Sequence, residues 1–524
     1  MHYQEGQDRN QMFVTSLEEM VKKDSWARIV DLFVDAMPLE DFGFANMELN
    51  REGNIPYHPG DLFKLFLYGY RKRIRSSLKL AEACKINVEV MWLLKCLRPS
   101  PRTINYFRSN NGPAIEKAHR HFVQLLKNWR LIGGETLAVD SMKIRGQNSL
   151  KNNFNERKIK RHIEYIDGRI EDYLDKLVKV KGKEKKTRKD REEIKELVDK
   201  IEKKESKKVE YEEMRKRVNE SVDGQVSTTD PDARAVIHKR NIVQVGYNIH
   251  ATADDKHNLI VDVFSGGVND TYGLSEAGTR AQEVLGLEKI NLLADKGYHT
   301  GIELARCERK GVRPYVSPKE PNEQSTPGFN KSDFIYDRKS DTYTCPAGSL
   351  MRTNGSVYKK TDRGKYSFRR YLTNDCQSCP LKEKCTARDQ GRLIERPLHQ
   401  DYVDRNDRRV RKDMWYYKKR QEIIEHIFGT IKRQWDMDHT LVKGRQNVET
   451  EYRLAAICYN LTRVVSIIGI ERFKKRLEKL QKGLFSLIFR YTSTTVSYAI
   501  RYIEILRTKL SESVVLNMAH IRLH

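Results

Sequence analysis

The sequence predicts an α/β protein interrupted by helical insertions, on three observations. Two short apolar runs, at 136–139 and 292–294, each end in an aspartate, as buried strands do at the rim of a sheet. Between them Val243, Val245, Tyr247, Ile249 and Ala251 alternate on one strand face, Asp254-Asp255-Lys256-His257 reads as a turn, and 258–264 reads as the returning arm of a hairpin. Residues 156–220 instead carry a helical period. Strand, long insertion, hairpin, helix and strand in that order describe a mixed layer with an insertion after its first strand.

The 524 residues leave room for several domains. Lys and Arg number 98 against 72 Asp and Glu, a net charge of +26, which favours a polyanionic partner, DNA or RNA, over an acidic one. No stretch approaches the roughly 18 apolar residues of a membrane span, and the polar start Met1–Gly6 lacks the apolar core of a signal peptide, so a cytoplasmic protein without a membrane partner is expected. Eight cysteines in so long a chain exclude a disulfide scaffold.

Residues 15–130 read as a helical domain. Ser16 followed by Glu19 is a capping box. The segment 61–73 has a broad apolar face (Leu62, Phe63, Leu65, Phe66, Tyr70) and ends in the basic group Arg71, Lys72, Arg73 and Arg75. Further helices are expected at 78–84 and 88–94, and Pro99–Thr103 reads as a break and cap before the next. Short helices with basic ends suit a helix-turn-helix-like DNA reader, or equally a plain packing domain. The segment is assigned as the DNA-binding domain, with those four basic residues as its candidate contacts.

In 156–220, Ile159, Ile163, Ile166, Ile170, Tyr173 and Leu177 are spaced alternately by four and three, a heptad seam. Lys181–Lys186 supplies a turn, and Ile194, Leu197 and Ile201 mark a second seam. The reading is a coiled-coil hairpin whose charged exterior is solvated surface, a dimerisation arm or a DNA-gripping arm. The core is then 131–155 and 221–319, with 272–285 as a helix capped by Asn269 and Asp270. Residues 320–400 hold a cysteine cluster, 401–470 return as core helices around 414–432 and 448–468, and 471–524 form a basic tail. Asp230, Asp232 and Arg234 read as a turn or as contributors to the site.

Asp140 and Asp295 end the two apolar runs, and Glu425 lies in the helix-like 420–429. On a strongly basic chain, such acids point to a metal site working on nucleic acid. Phosphodiester cleavage needs charge neutralised at phosphorus and an activated oxygen nucleophile, and two Mg2+ ions held by a few carboxylates supply both. Cys345, Cys376, Cys379 and Cys385 include one C-x2-C pair; they suit a structural Zn2+ with no open position, or a zinc-free thiol cluster. Cys84, Cys96, Cys307 and Cys458 read as small buried apolar residues.

Three motifs together resemble the DDE-type transposases of bacterial insertion sequences. Ala138-Val139-Asp140, with Ser141 and Lys143, resembles the first catalytic strand. Ala294-Asp295-Lys296-Gly297-Tyr298 resembles the second. Glu425, with Phe428 and with Lys432 seven residues on, resembles the third, although Tyr417 and Arg420 lie one residue further upstream than the commonest spacing. The resemblance spans about 15–470. It implies an RNase H-like mixed sheet flanked by helices. Asp140, Asp295 and Glu425 would hold two Mg2+ ions, with Mn2+ as a substitute, while Lys432, Arg420, Lys296 and Tyr298 would contact DNA, a core role being equally open for Tyr298. It implies cleavage at the element's ends and strand transfer into target DNA, both double-stranded, and a homodimer that brings two ends together. The alternatives are a metal-dependent endonuclease on the same core and a non-catalytic DNA-binding protein.

Overall fold

The computed structural model describes residues 10, 12, 14–48, 55–185, 187–221, 223–237, 242–319, 328–360 and 366–481. The chain divides into two units, residues 1–114 with 458–524, and residues 115–457.

The first unit is helical: α1 (Leu17–Met20), α2 (Trp26–Asp35), α3 (Leu39–Phe42), α4 (Pro59–Arg71), α5 (Ser77–Ile86), α6 (Val88–Leu93) and α7 (Pro101–Asn110). The side chain of Ser16 accepts from Glu19 N–H and Glu19 returns the bond; Ser25, Asn87 and Ser100 cap α2, α6 and α7. Burial of α4 goes beyond one face and includes Lys64, whose ammonium is paired to Asp31 and Asp35 at 2.7 and 2.6 Å. A buried cation is tolerated only when so compensated. Phe107 of α7 stacks on Phe44 and Phe66, each at 5.8 Å. Of the basic group after α4, Arg71, Lys72 and Arg73 are exposed, but Arg75 is buried and so does not belong to a DNA-facing surface. Cys96 is exposed, contrary to expectation, because it follows α6 in a left-handed turn (φ +63°) that carries it off the core.

Helix α8 (Gly112–Asn128), in which the division falls, precedes β1 (Thr136–Arg145). The chain continues through β2 (Asn153–Asn155), α9 (Glu156–Lys181), α10 (Arg188–Glu220), β3 (Gln225–Ser227), β4 (Arg234–Ile237), β5 (Val243–Asp254), β6 (Ile260–Ser265), α11 (Leu274–Leu285), β7 (Ile290–Ala294), α12 (Gly301–Arg309) and β8 (Val312–Val316). The main sheet has the order β4-β5-β1-β7-β8, with β6 also on β5. β1 runs antiparallel to β5 and parallel to β7, and β7 parallel to β8. From Val245 onward β5 is buried on both faces, so the alternation seen in sequence places Asn248 and His250 against a covered face.

The insertion after β1 is a helical pair. Ile159 near the start of α9 clusters with Val218 near the end of α10, and Leu177 near the end of α9 with Leu197 and Ile201, so the two run antiparallel. Thr187 and Asp190 form a capping box that opens α10, and the short β2–β3 ladder closes the base of the pair.

The cysteine segment is a second antiparallel sheet of short strands, β9 (Ile335–Asp337), β10 (Thr342–Thr344), β11 (Leu350–Thr353), β12 (Tyr358–Lys360) and β13 (Tyr366–Leu372), followed by α13 (Lys382–Cys385) and β14 (Ile394–Pro397). Its order is β12-β13-β11-β10-β9 with β14 on β13, around Phe334, Tyr343, Met351, Tyr371 and Ile394. Then come α14 (Gln400–Lys412), α15 (Met414–Phe428), a π-helical turn (Gly429–Gln434) and α16 (Arg445–Ile468). α14 lies against β8 and α15 against β1. The turn carrying Asp230 and Asp232 is structural: Gly444 N–H donates to Asp230 and Arg445 N–H to Asp232, at the start of α16. Among the described residues no single helix is long and apolar enough to cross a membrane.

Candidate active site

Asp140 does not end its strand. β1 continues to Arg145 because it stays paired with β5, whereas its parallel pairing with β7 stops at Val139↔Ala294. Asp140 and Asp295 therefore leave neighbouring strands at the same level. Asp295 turns at once into a 3-10 segment, Lys296–Tyr298, and its carboxylate accepts from Gly297 N–H.

Asp140 is gripped from two sides. Its Oδ1 accepts from Ser141 N–H at 2.7 Å, and its Oδ2 from Arg420 Nη1 of α15 at 3.1 Å. Burial pushes its pKa up to about 6; the Ser141 N–H and Arg420 oppose that, while Asp295 and Asp270 add to it. Desolvation beside two more carboxylates is what raises an acid in this way.

Asp270 is the site residue that sequence reasoning missed. Asn269 caps the 3-10 turn Asp270–Tyr272 as expected, but the Asp270 side chain is not a cap. It reaches Ser141 Oγ at 2.6 Å and Asn248 Nδ2 at 2.8 Å, with Lys143 Nζ at 3.7 Å. The signal was only that Asn248 falls on the second face of an alternating strand.

Tyr298, for which the sequence leaves a DNA contact and a core role equally open, has no exposed surface. Its hydroxyl meets His250 Nδ1 at 2.7 Å, and the His250 ring stacks on Phe264 at 4.9 Å. Burial lowers the His250 pKa to about 4, so the ring is neutral and the pair forms the wall behind the acids. Lys296 is exposed beside them.

Helix α15 buries Arg420, Ile423, Ile424 and Ile427 and leaves Glu425 and His426 exposed. Glu425 stands about 140° around the axis from Arg420, so it projects away from the buried face that meets β1. Lys432 lies past the α-to-π transition, so seven residues do not keep it in line with Glu425 as in a straight α-helix. Its Nζ donates to Lys143 O at 2.8 Å. Among the described residues, a group of three metal-binding side chains with ligand atoms within 4.8 Å of one another occurs at Asp436, Asp438 and His439, not at Asp140, Asp295 and Glu425.

Beside Asp270 and Tyr298 opens a cleft of about 650 Å³ whose lining includes Thr271, Tyr272, Lys319, Lys359, Lys360 and Tyr366. Farther off, the four cysteines Cys345, Cys376, Cys379 and Cys385 line one cavity of about 20 Å³, but they too do not form a group of three ligand atoms within 4.8 Å of one another. Cys345 sits in a tight turn closed by Gly348 N–H, Cys376 in a 3-10 turn and Cys385 at the end of α13. Burial raises the Cys385 thiol, Arg392 opposes it, and the other three cysteines add to the rise. Gly391, at φ +87°, has no room for a side chain: a Cβ there would stand 2.4 Å from Cys376 Cβ.

The comparisons with known proteins bear on both ends of this arrangement. Residues 15–110 match the family described as Transposase domain (DUF772), and residues 344–465, which include the four cysteines and Glu425, match Transposase DDE domain. No curated protein and no solved structure matches the chain. One transposase segment falls on the helical unit and a second reaches across α15, and together they support a DDE-type transposase of an insertion sequence.

Proposed function

We propose that this transposase cuts and joins DNA at the site where β1 and β7 present Asp140 and Asp295. The observation that carries the reading is the Val139↔Ala294 register, which sets two carboxylates side by side with a basic helix against them. The sheet order, antiparallel on one side of β1 and parallel on the other, supports an RNase H-like core. The donor set is all oxygen, which suits Mg2+ or Mn2+. Asp140 and Asp295 would hold the ions, with Glu425 on the helix that Arg420 ties to Asp140. Bound divalent ions supply Lewis-acid polarisation of the scissile phosphate.

The chain's own groups do the rest. Arg420 orients Asp140 and offers a fork to phosphate. Lys432 braces β1 through the Lys143 carbonyl. The cleft lined by Lys319, Lys359 and Lys360, with Tyr272 and Tyr366, suits a DNA strand through charge and stacking. Arg71, Lys72 and Arg73 are available to a duplex on the helical unit, and a homodimer would bring two element ends together. The cysteine cluster would take one structural Zn2+, fixing the sheet that lines the cleft. The α9–α10 pair serves as a coiled-coil arm.

The test is an assay of purified protein with Mg2+ or Mn2+ on DNA carrying the element ends. Nicking and joined target products are expected, with Asp140→Asn and Asp295→Asn inactive but still binding DNA. Undiminished nicking by Asp295→Asn would overturn the assignment, and nicking without joined products would reduce the activity to that of an endonuclease.

A further inference from the structure

Asp270 follows β6 at a point where the chain has no sequence kinship with the segments of Asp140 or Asp295, yet its carboxylate belongs to their group. One residue of β1 links it to Asp140: Ser141 donates its N–H to Asp140 Oδ1 at 2.7 Å and its hydroxyl to Asp270 Oδ1 at 2.6 Å. Asn248 donates to the same Asp270 Oδ1 at 2.8 Å. That oxygen is committed, while Oδ2 is held by an ion pair alone. Asp270 Oδ2 has Lys143 Nζ no nearer than 3.7 Å.

Gly297 shows where Oδ2 faces. A Cβ built on Gly297 would lie 3.2 Å from Asp270 Oδ2 and 3.3 Å from Asp295 Oδ1. Two carboxylate oxygens from separate segments thus border the same small space, left open because residue 297 has no side chain. Asp140 senses both acids as like charges. Like charges gathered in a half-buried site are stable when a cation shares them.

A second observation is independent of the acids. Asn248 is 2% exposed, and its Oδ1 has no hydrogen-bond partner among the described residues. Its amide nitrogen bonds Asp270 Oδ1 and meets His250 Nε2 at 3.3 Å, so the orphan oxygen belongs to a side chain packed in the same wall. A buried amide oxygen without a donor is costly, and it is a hard ligand of the kind a divalent cation or its water shell takes.

We propose that Asp270 is a further metal-contacting carboxylate of this site, lending Oδ2 to a divalent cation while Ser141 and Asn248 anchor Oδ1. This rests on the reading of Asp140 and Asp295 as the metal-holding pair.

The experiment is Mn2+ binding to the full chain without DNA, by calorimetry or by loss of the free-Mn2+ paramagnetic signal, for wild type, Asp140→Asn and Asp270→Asn, with melting in chelator as the fold control. About a tenfold or greater loss of Mn2+ affinity in Asp270→Asn, with an unchanged melt, supports the proposal. Affinity lost in Asp140→Asn but intact in Asp270→Asn overturns it alone; affinity intact in both overturns the metal-holding pair as well. If Asp270→Asn does not fold, the wild-type chain loaded with Fe2+ and treated with ascorbate and peroxide decides. Backbone scission near 270 as well as near 140 and 295 is the expected result, and scission that spares the 270 segment overturns the assignment.

Discussion

Arg420 of α15 donates to Asp140 Oδ2 at 3.1 Å, joining a helix and a strand 280 residues apart in sequence. Both groups are substantially buried, so the pair is a charge-assisted bond in a low-dielectric setting rather than a surface ion pair. Arg420→Ala is expected to slow DNA cleavage by about 10- to 100-fold, matching roughly 1.5–3 kcal/mol for a hydrogen bond to a charged group. Arg420→Lys keeps the charge but loses the fork, so it should fall between. Single-turnover cleavage with saturating DNA measures both, and wild-type rates for Arg420→Ala would remove the residue from the site.

The cysteine cluster predicts about one zinc per chain by metal analysis. Cys379→Ser should lose most of it and lower the melting temperature. Gly391→Ala should do the same without touching a thiol, because its Cβ would press on Cys376 from a left-handed backbone. Full zinc content in Cys379→Ser would remove that thiol from the site.

The cleft predicts a salt-dependent contact. Lys359→Glu with Lys360→Glu should weaken binding of end-bearing DNA and make the slope of log affinity against log salt shallower by about one to two units. The fold should be unaffected, since both lysines are exposed. Filter binding or anisotropy across a salt series reads this directly; an unchanged slope would place the DNA elsewhere.

His119 predicts acid sensitivity. It is fully buried on α8, both ring nitrogens lack hydrogen-bond partners among the described residues, and burial lowers its pKa to about 4, with Asp262 opposing and Arg453, Arg120 and Arg280 reinforcing the effect. The unfolded chain takes up this proton near pH 6.5 and the folded chain does not until about pH 4. Stability from this residue is therefore present above pH 6.5 and lost as pH falls towards 4, on the order of 3 kcal/mol in all. Urea unfolding at pH 7 and pH 4.5 should show the loss, and His119→Leu should shrink it.

Much of the architecture was legible because it is written locally. The Ser16 and Ser100 caps, the turn between α9 and α10, and the end of β7 at Asp295 each follow from a few adjacent residues. What was not legible depends on partners far along the chain. Asp140 looks like a strand end because the run before it is apolar, yet β5 holds β1 straight for five more residues. Asp270 looks like a cap because Asn-Asp before a helix is the pattern of caps, and its true partner Asn248 lies across the sheet. The π turn after α15 has no marker in composition, and it shifts Lys432 off the line that a count of seven implies. The strands of the cysteine segment, three to seven residues long, are too short to show a period.

The β2–β3 ladder carries a consequence for how such a chain can change. Asn153 and Ser227 stand opposite one another, so the polypeptide departs and comes back through the same doorway. Whatever lies beyond that threshold can lengthen, shrink or be exchanged without re-registering the strands that carry the acids. The arm is thus a cassette: its helices are free to diverge towards new partners at a pace that the chemistry next door does not constrain.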